Sequence, residues 1–204
     1  MRFKPGVILT YFFQFLIFLI VLSSILTGFY EFAIGGIFAL FLSFAPMIAK
    51  RRINITLPWG LTFLIALSLY IHLAGEYFGY YLMFSPYYDK TAHFISGATI
   101  GLLGFTLVLI LDRYTEINLN RHLIVLMIVM FTLGFGAIWE ILEFSMDTFF
   151  GGNMQHGNAD TMLDMIFVLF ASIVVAFIGN FYLRKFPKEE VAQIFAGNLN
   201  IKYP

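Results

Sequence analysis

Six long runs of apolar residues limit most strongly how this 204-residue chain can fold. A helix needs about 20 mostly apolar residues to cross the hydrocarbon core of a bilayer. The runs predict an all-α polytopic membrane protein with six transmembrane helices, at 7–28, 31–49, 58–80, 91–111, 122–148 and 161–183. We predict that residues 1–204 form a single transmembrane domain, in which 184–204 is a short cytoplasmic tail.

The composition excludes several classes of protein. Hydrophobic residues make up 60% of the chain and charged residues 12%, which is outside the range of soluble globular proteins. There is no cysteine for a disulfide or a thiolate metal site. The chain also lacks a glycine-rich phosphate loop, and we expect no nucleic-acid partner. The predicted surroundings are the lipid bilayer, and the sequence does not indicate an oligomeric state.

Basic residues fall on one side of the six-helix arrangement. Of the 12 Lys and Arg residues, all but Lys90 lie at the ends that the two termini share. Because Lys and Arg are retained on the cytoplasmic side, this predicts a multi-pass protein of the plasma membrane with both termini inside. The segments 81–89 and 149–159 are then outside, and the loops 50–57 and 112–121 are inside.

The opposite side is rich in acids, most densely in "WEILEFSMDTFFGGNMQHGNADTMLDM", residues 139–165. The spacing of Glu140, Glu143 and Asp147 is i, i+3, i+7, which places them on one face of the fifth helix. After a turn rich in Gly and Asn, Asp160 and Asp164 open the sixth helix four residues apart. Since a short loop makes the two helices antiparallel neighbours, their acidic faces are expected to meet.

The third and fourth helices carry a related pattern of His72, Glu76, Asp89 and His93. Moving each position 71 residues along the chain leads to Glu143, Asp147, Asp160 and Asp164. The shared spacing predicts that the third and fourth helices and the fifth and sixth helices form a tandem hairpin repeat. Five glycines in the fourth and fifth helices are expected to allow close helix packing: Gly97, Gly101, Gly104, Gly134 and Gly136.

Four of these ionisable residues lie one to two turns inside apolar sequence: His93, Glu140, Glu143 and Asp164. An acid near the centre of a membrane helix costs about 2.5–3.5 kcal/mol, and Lys90 is the one Lys or Arg on that side. Either several acids are protonated or a further cation binds. We predict a divalent metal ion, for which Mg²⁺, Mn²⁺ or Fe²⁺ suits these ligands better than Zn²⁺. The candidate ligands are Asp89, His93, Glu140, Glu143, Asp160 and Asp164, with Glu76, Asp147, His72 and His156 as secondary candidates.

Structural interpretations compete at single positions. Asp89 can cap its helix, and Asp160 can interact with the helix dipole. His72 can be a hydrogen-bonded core residue, and His156 can be solvated in its loop. Asp112 and Glu116, which flank Arg113 in a predicted cytoplasmic loop, are expected to be surface charges.

At these residues the sequence resembles two families of membrane proteins. "YYDKTAHFISGATIG" is similar to the Asp-x-x-x-His-Phe opening of VanZ-like and YjdF-like proteins, and "WEILEF" and "ADTMLDM" resemble elements of the YjdF-like proteins. The likeness covers roughly residues 70–180. VanZ-like proteins tend to carry a Gln and an Arg near 140–160, where this chain has Glu143 and no Arg, so the YjdF-like comparison is closer. The resemblance implies a small polytopic membrane protein and brings no established reaction with it.

Three functions remain open at this stage. The first is a metal-dependent hydrolase, of the phosphatase or esterase kind, that acts on a lipid or lipid-linked substrate, with His93 or Glu140 as general base. The second is a non-catalytic binding or resistance protein, in which the acids hold a cationic ligand or a structural metal. The third is a cation transporter, which the nearly apolar inner halves of the helices disfavour.

Overall fold

The computed structural model describes residues 5–53, 55–115, 117–151 and 154–196, and their regular structure is helical throughout. The helices are α1 (Pro5–Leu26), α2 (Tyr30–Ser43), α3 (Ala45–Ile53), α4 (Trp59–Tyr77), α5 (Tyr80–Met83), α6 (Tyr87–Thr115), α7 (Arg121–Phe150), α8 (Asn158–Lys185) and α9 (Lys188–Ala196). Five are long and apolar enough to cross a membrane, and α2 with α3 makes a sixth span if the bent pair is counted as one. The predicted all-α polytopic fold is confirmed. Glu116 and the last eight residues of the predicted tail lie outside the described residues.

The chain divides into two compact units between Tyr88 and Asp89. Of the described residues, the first unit carries α1 to α5 together with 193–196, and the second carries the residues from Asp89 to Ala192. Each unit has its own buried residues.

The predicted second transmembrane helix is broken in the first unit. Helix α2 ends at Ser43 and α3 begins at Ala45, with a bend of 43° between them. Pro46 is the second residue of α3, a position where its missing N–H is tolerated. In the interior of a continuous helix the same proline would remove a backbone hydrogen bond, so α2 ends before it. The break leaves the Ser43 carbonyl without a helical donor, and the Gln14 side chain of α1 donates to it at 2.9 Å. The run 31–49 is therefore two helices.

The core of the second unit lies between α6, α7 and α8. Four of the five glycines that were expected to allow close packing do face a neighbouring helix: Gly97, Gly101, Gly104 and Gly136. A Cβ at Gly97 would lie 3.1 Å from Ala171 Cβ and 3.2 Å from Val168 Cα. Gly134 has no such neighbour within 4 Å, so the expectation is wrong there. The close approach of α6 to α8 brings their first turns together.

The ends of α6 and α9 meet around a buried aspartate. Asp112 is only 8% exposed, so its interpretation as a surface charge is wrong. Lys188 donates to Asp112 Oδ2 at 3.0 Å and also to the Leu119 carbonyl. The Leu119 N–H donates to the other oxygen, Asp112 Oδ1. Asp112 therefore connects the loop after α6 to the start of α9.

Helices α6 and α8 keep the register that the sequence repeat predicts. They begin at Tyr87 and Asn158, which are 71 positions apart. The first helices of the two predicted hairpins differ in length, because α4 has 19 residues and α7 has 30. The repeat therefore holds in the starts of α6 and α8, and superposition of the complete hairpins stays a prediction.

Candidate metal centre

The first turns of α6 and α8 present paired ligand residues at equivalent positions. Asp89 and His93 are the third and seventh residues of α6, and Asp160 and Asp164 are the third and seventh residues of α8. Residues four apart lie one above the other on a helix. Each helix therefore offers two side chains on one face, about 6 Å apart along its axis.

Lys90 lies at the centre of the three aspartates. Its ammonium group donates to Asp89 Oδ2 at 2.8 Å, to Asp160 Oδ1 at 2.6 Å and to Asp164 Oδ1 at 2.8 Å. Lys90 is only 5% exposed. An ammonium group has three N–H donors, so these three bonds use all of them. Lys90 thus joins the start of α6 to the start of α8.

His93, one turn farther along α6 than Asp89, faces Asp89 and Asp164 at longer distances. Its Nε2 atom lies 3.4 Å from Asp89 Oδ1 and 3.7 Å from Asp164 Oδ1. Both distances exceed the 2.7–3.2 Å typical of an N–H···O hydrogen bond. One ligand atom from each of Asp89, His93 and Asp164 lies within 4.8 Å of the other two, a set that can hold a metal ion.

Helix α7 adds two glutamates to this group. Glu140 is 6% exposed, and its Oε1 atom lies 4.0 Å from His93 Nδ1. Its Oε2 atom is buried with no hydrogen-bond partner among the described residues. Glu143 accepts a hydrogen bond from Trp139 Nε1 at 2.7 Å. Of the predicted acidic residues of α7, Glu140 therefore lies beside His93, whereas Glu143 is hydrogen-bonded to Trp139 of the same helix.

The loop between α7 and α8 engages two of the secondary candidates. Asp147 accepts backbone N–H bonds from Met154 and Gln155, both at 2.7 Å. This carboxylate therefore shapes the loop. His156 Nδ1 lies 3.5 Å from Asp160 Oδ2, and the residue is exposed. Asp147 and His156 thus support the segment that leads into α8.

The other two secondary candidates belong to the first unit. His72 Nδ1 shares a 2.7 Å hydrogen bond with the Tyr81 hydroxyl, which agrees with a hydrogen-bonded histidine between α4 and α5. Glu76 is exposed near the end of α4.

Sequence reasoning did not include Lys90 among the site residues. Lys90 was recognised as the one Lys or Arg on the acid-rich side, and its single positive charge was considered too small to balance the acids there. The available signal was its place beside Asp89 in the first turn of α6. Successive residues of a helix are about 100° apart around its axis, so a search for i, i+4 pairs does not select the residue next to a ligand. A long lysine side chain can nevertheless reach back across that angle.

The fold and the site define an all-helical membrane protein with a buried Asp/His/Asp group near the ends of its helices. A family model described as "Predicted membrane protein (DUF2238)" matches residues 8–185, and the chain belongs to this family. YjdF-like proteins are members of it, whereas the VanZ-like resemblance is not confirmed. The match includes α1 and α2, which the motif resemblance did not cover.

One relative shares most of its length with this chain. It is an uncharacterized protein of Thermotoga maritima, 26% identical over 165 residues that make up 77% of this chain and 80% of the relative. No solved structure matches.

Proposed function

We propose that this protein is a metal-dependent membrane hydrolase that cleaves a phosphate or ester bond of a lipid or lipid-linked substrate. The proposed ion is divalent, with Mg²⁺, Mn²⁺ or Fe²⁺ preferred over Zn²⁺ because carboxylate oxygens dominate the ligands. Asp89, His93 and Asp164 would hold it.

The distances around His93 Nε2 are the observation that carries this proposal. Two ligands that each lie about 2.1 Å from one ion, at right angles or slightly wider, are about 3.0–3.4 Å apart. The separations of Nε2 from Asp89 Oδ1 and Asp164 Oδ1, 3.4 and 3.7 Å, are close to that range. Both are longer than the 2.7–3.2 Å typical of an N–H···O hydrogen bond. The three groups thus surround a space that a cation fits.

The charges of the same group support a divalent ion. Asp89, Asp160 and Asp164 carry three negative charges when ionised, and Lys90 compensates one of them. Two negative charges are then left in a largely buried cluster, where uncompensated charge is expensive. One divalent cation would balance these two aspartate charges, and the carboxylate of Glu140 beside His93 would remain to accept a proton.

The contacts suggest a distinct task for each side chain. Lys90 takes Asp89 Oδ2 while His93 faces Asp89 Oδ1, so the ammonium group and an ion can use different oxygens of one carboxylate. Glu140 Oε1 lies 4.0 Å from His93 Nδ1, too far for a hydrogen bond, but its negative charge there favours a charged or metal-bound imidazole. We therefore assign His93 to the metal and Glu140, with its unpartnered Oε2, to accepting a proton from water. A metal ion would make that water more acidic and polarise the substrate.

The place of the site along its helices suggests the substrate. Asp89, His93, Asp160 and Asp164 all lie in the first two turns of membrane helices. The ends of such helices lie near the level of lipid headgroups. By the charge asymmetry of the sequence, these ends face the outside. A headgroup ester or phosphate would then lie at the same depth in the membrane as the site.

The interior of the second unit argues against cation transport. Below the site the buried side chains of α6, α7 and α8 are mostly apolar, for example Phe105, Ile128 and Val168. The buried hydroxyls of Thr99 and Thr132 donate to carbonyls of their own helices. A cation that left the site inward would find few oxygen ligands.

A non-catalytic role is the second candidate, and the three ion pairs of Lys90 favour it. In that case the ammonium group and the aspartates connect α6 to α8, and a metal ion is structural or absent. Replacing Glu140 separates the two roles, because loss of metal-dependent turnover through this change is expected only if the cluster is catalytic.

The test is hydrolysis in bilayer nanodiscs with Mn²⁺, measured as inorganic phosphate or fatty acid released from phosphatidic acid, a polyprenyl diphosphate and a short-chain ester. We expect metal-dependent turnover of at least one substrate and its loss in Glu140→Gln and Asp89→Asn. Glu190→Gln, an exposed position on α9, is the matched control and should keep full activity. Equal rates in Glu140→Gln and Glu190→Gln, or no metal-dependent turnover of any probe, would favour the non-catalytic role.

A further inference from the structure

The first unit contains a cavity of about 660 Å³ that is separate from the candidate metal centre. Small-molecule sites typically have volumes of about 300–1,000 Å³. The cavity lies beside α1, the α2–α3 break and the start of α4, and its lining residues include Thr10, Gln14, Ser43, Pro46, Lys50 and Trp59. A space of this size can hold one small amphiphile.

A buried acceptor in this cavity lacks a donor. Gln14 is 6% exposed, and its amide nitrogen is held by the Ser43 carbonyl. This bond leaves the amide oxygen, Oε1, as the free end, and no described residue donates to it. A buried acceptor without a donor keeps the full cost of its desolvation. A ligand that brings an O–H or N–H group to this point would remove the cost.

Lys50 gives the cavity a positive group. It is exposed, lies in the last turn of α3 beside Arg51 and Arg52, and lines the cavity. Lys50 is five residues beyond Ala45, where α3 begins, so it lies about 8 Å along α3 from the break at which Gln14 contacts Ser43. An anionic group at Lys50 and a donor at Gln14 can thus belong to one molecule.

We propose that this cavity binds an anionic phospholipid that carries a free hydroxyl between its phosphate and its chain. The phosphate pairs with Lys50, the hydroxyl donates to Gln14 Oε1, and the acyl chain lies along the apolar lining. A lipid is the source of this chemistry because the cavity lies beside the membrane helices α1 and α4 and its lining includes apolar side chains such as Val7, Phe44 and Met47. The binding site does not depend on the proposed hydrolase activity.

Trp59 lines the cavity and reports on its occupancy. The other tryptophan is Trp139, so a Trp139→Phe background leaves Trp59 as the one fluorophore of this type. The probe is a lysophosphatidic acid with a brominated acyl chain, added to nanodiscs of unbrominated phosphatidylcholine. We expect saturable quenching of Trp59 at a low mole fraction of the probe.

Two substitutions and a modified lipid test the contacts. Lys50→Gln and Gln14→Met should each weaken binding about fivefold or more, as the loss of one hydrogen bond or ion pair predicts. The 2-O-methyl form of the probe, which has no hydroxyl, should bind as weakly to the unsubstituted background as the probe binds to Gln14→Met. Arg52→Gln, on the same turn but not lining the cavity, is the control and should leave affinity unchanged.

Three results would overturn the proposal. Quenching that rises linearly with mole fraction would show ordinary contact with bulk lipid. Equal effects of Lys50→Gln and Arg52→Gln would show unspecific charge attraction. Displacement of the probe by excess inorganic phosphate would show a site for the free anion. Because Gln14→Met also removes the bond to Ser43, the methylated probe tests the hydroxyl contact without altering the protein.

Discussion

At the scale of single residues, Lys90 is the side chain on which the site depends most. It is buried and bonded to three carboxylates from two helices. An ammonium group without these partners would be costly in this setting, and so would the aspartates without Lys90. The same residue therefore stabilises the fold and limits how much negative charge remains for a metal ion.

Replacing Lys90 by methionine should destabilise the protein strongly. Removing one partner of a buried ion pair costs about 3–5 kcal/mol, and here three carboxylates lose their ammonium group. Thermal unfolding in detergent with a chelator present measures the effect, with Lys185→Met, an exposed position at the end of α8, as control. Mn²⁺ should raise the unfolding temperature of Lys90→Met more than that of the wild type. Equal stability of the two variants would contradict the central place given to Lys90.

At the scale of helices and loops, the glycine contacts explain how the ligand-bearing turns meet. A side chain at Gly97 would collide with Val168 and Ala171 of α8, whereas one at Gly134 meets nothing within 4 Å. Overpacking of this kind typically costs about 1–3 kcal/mol. Gly97→Leu should lower both the unfolding temperature and the affinity for Mn²⁺, because it separates α6 from α8. Gly134→Leu should change neither, and equal losses in the two variants would show that the contact is unimportant.

The Asp147 bonds to the loop backbone lead to a separate prediction. Asp147→Ala removes the acceptor for the N–H groups of Met154 and Gln155, and hydrogen bonds to a charged group contribute about 1.5–3 kcal/mol each. Faster amide hydrogen exchange at these two residues is expected, with exchange in the middle of α8 unchanged. Wild-type exchange rates in the loop of Asp147→Ala would show that another contact holds it.

The sequence predicted the elements of the site better than their contacts. Helical spacing predicted that Asp89 and His93, and likewise Asp160 and Asp164, share one face of their helix, because i, i+4 pairs do so in any helix. That α6 packs directly against α8 follows from contacts such as that of Gly97 with Val168 and Ala171. It could not show that Asp147 is used by the loop, since that bond depends on the path of residues 154–155. The break at Pro46 was also missed, because an apolar run looks continuous whether or not the helix bends. Lys90 was missed because its contacts reach across two helices.

At the scale of the whole molecule, the distribution of Lys and Arg predicts which ends of the helices face the cytoplasm. A cysteine at Ser85, which is exposed between α5 and α6, should react with an impermeant thiol reagent added outside intact cells. A cysteine at Ile117, which is exposed between α6 and α7, should react only after the membrane is opened. The native chain has no cysteine to interfere. The opposite labelling pattern would place the candidate metal centre on the cytoplasmic side.

Binding of Mn²⁺ to the purified protein, measured by equilibrium dialysis and elemental analysis, tests the proposed metal centre most directly. We expect one saturable site per chain and at least about tenfold weaker binding in His93→Ala and in Asp164→Asn, because each change removes one of three ligands. Glu190→Gln should bind Mn²⁺ as the wild type does. Absence of a saturable site, or equal affinity in all four proteins, would contradict the proposed metal centre and leave Lys90 as the cation that the aspartates hold.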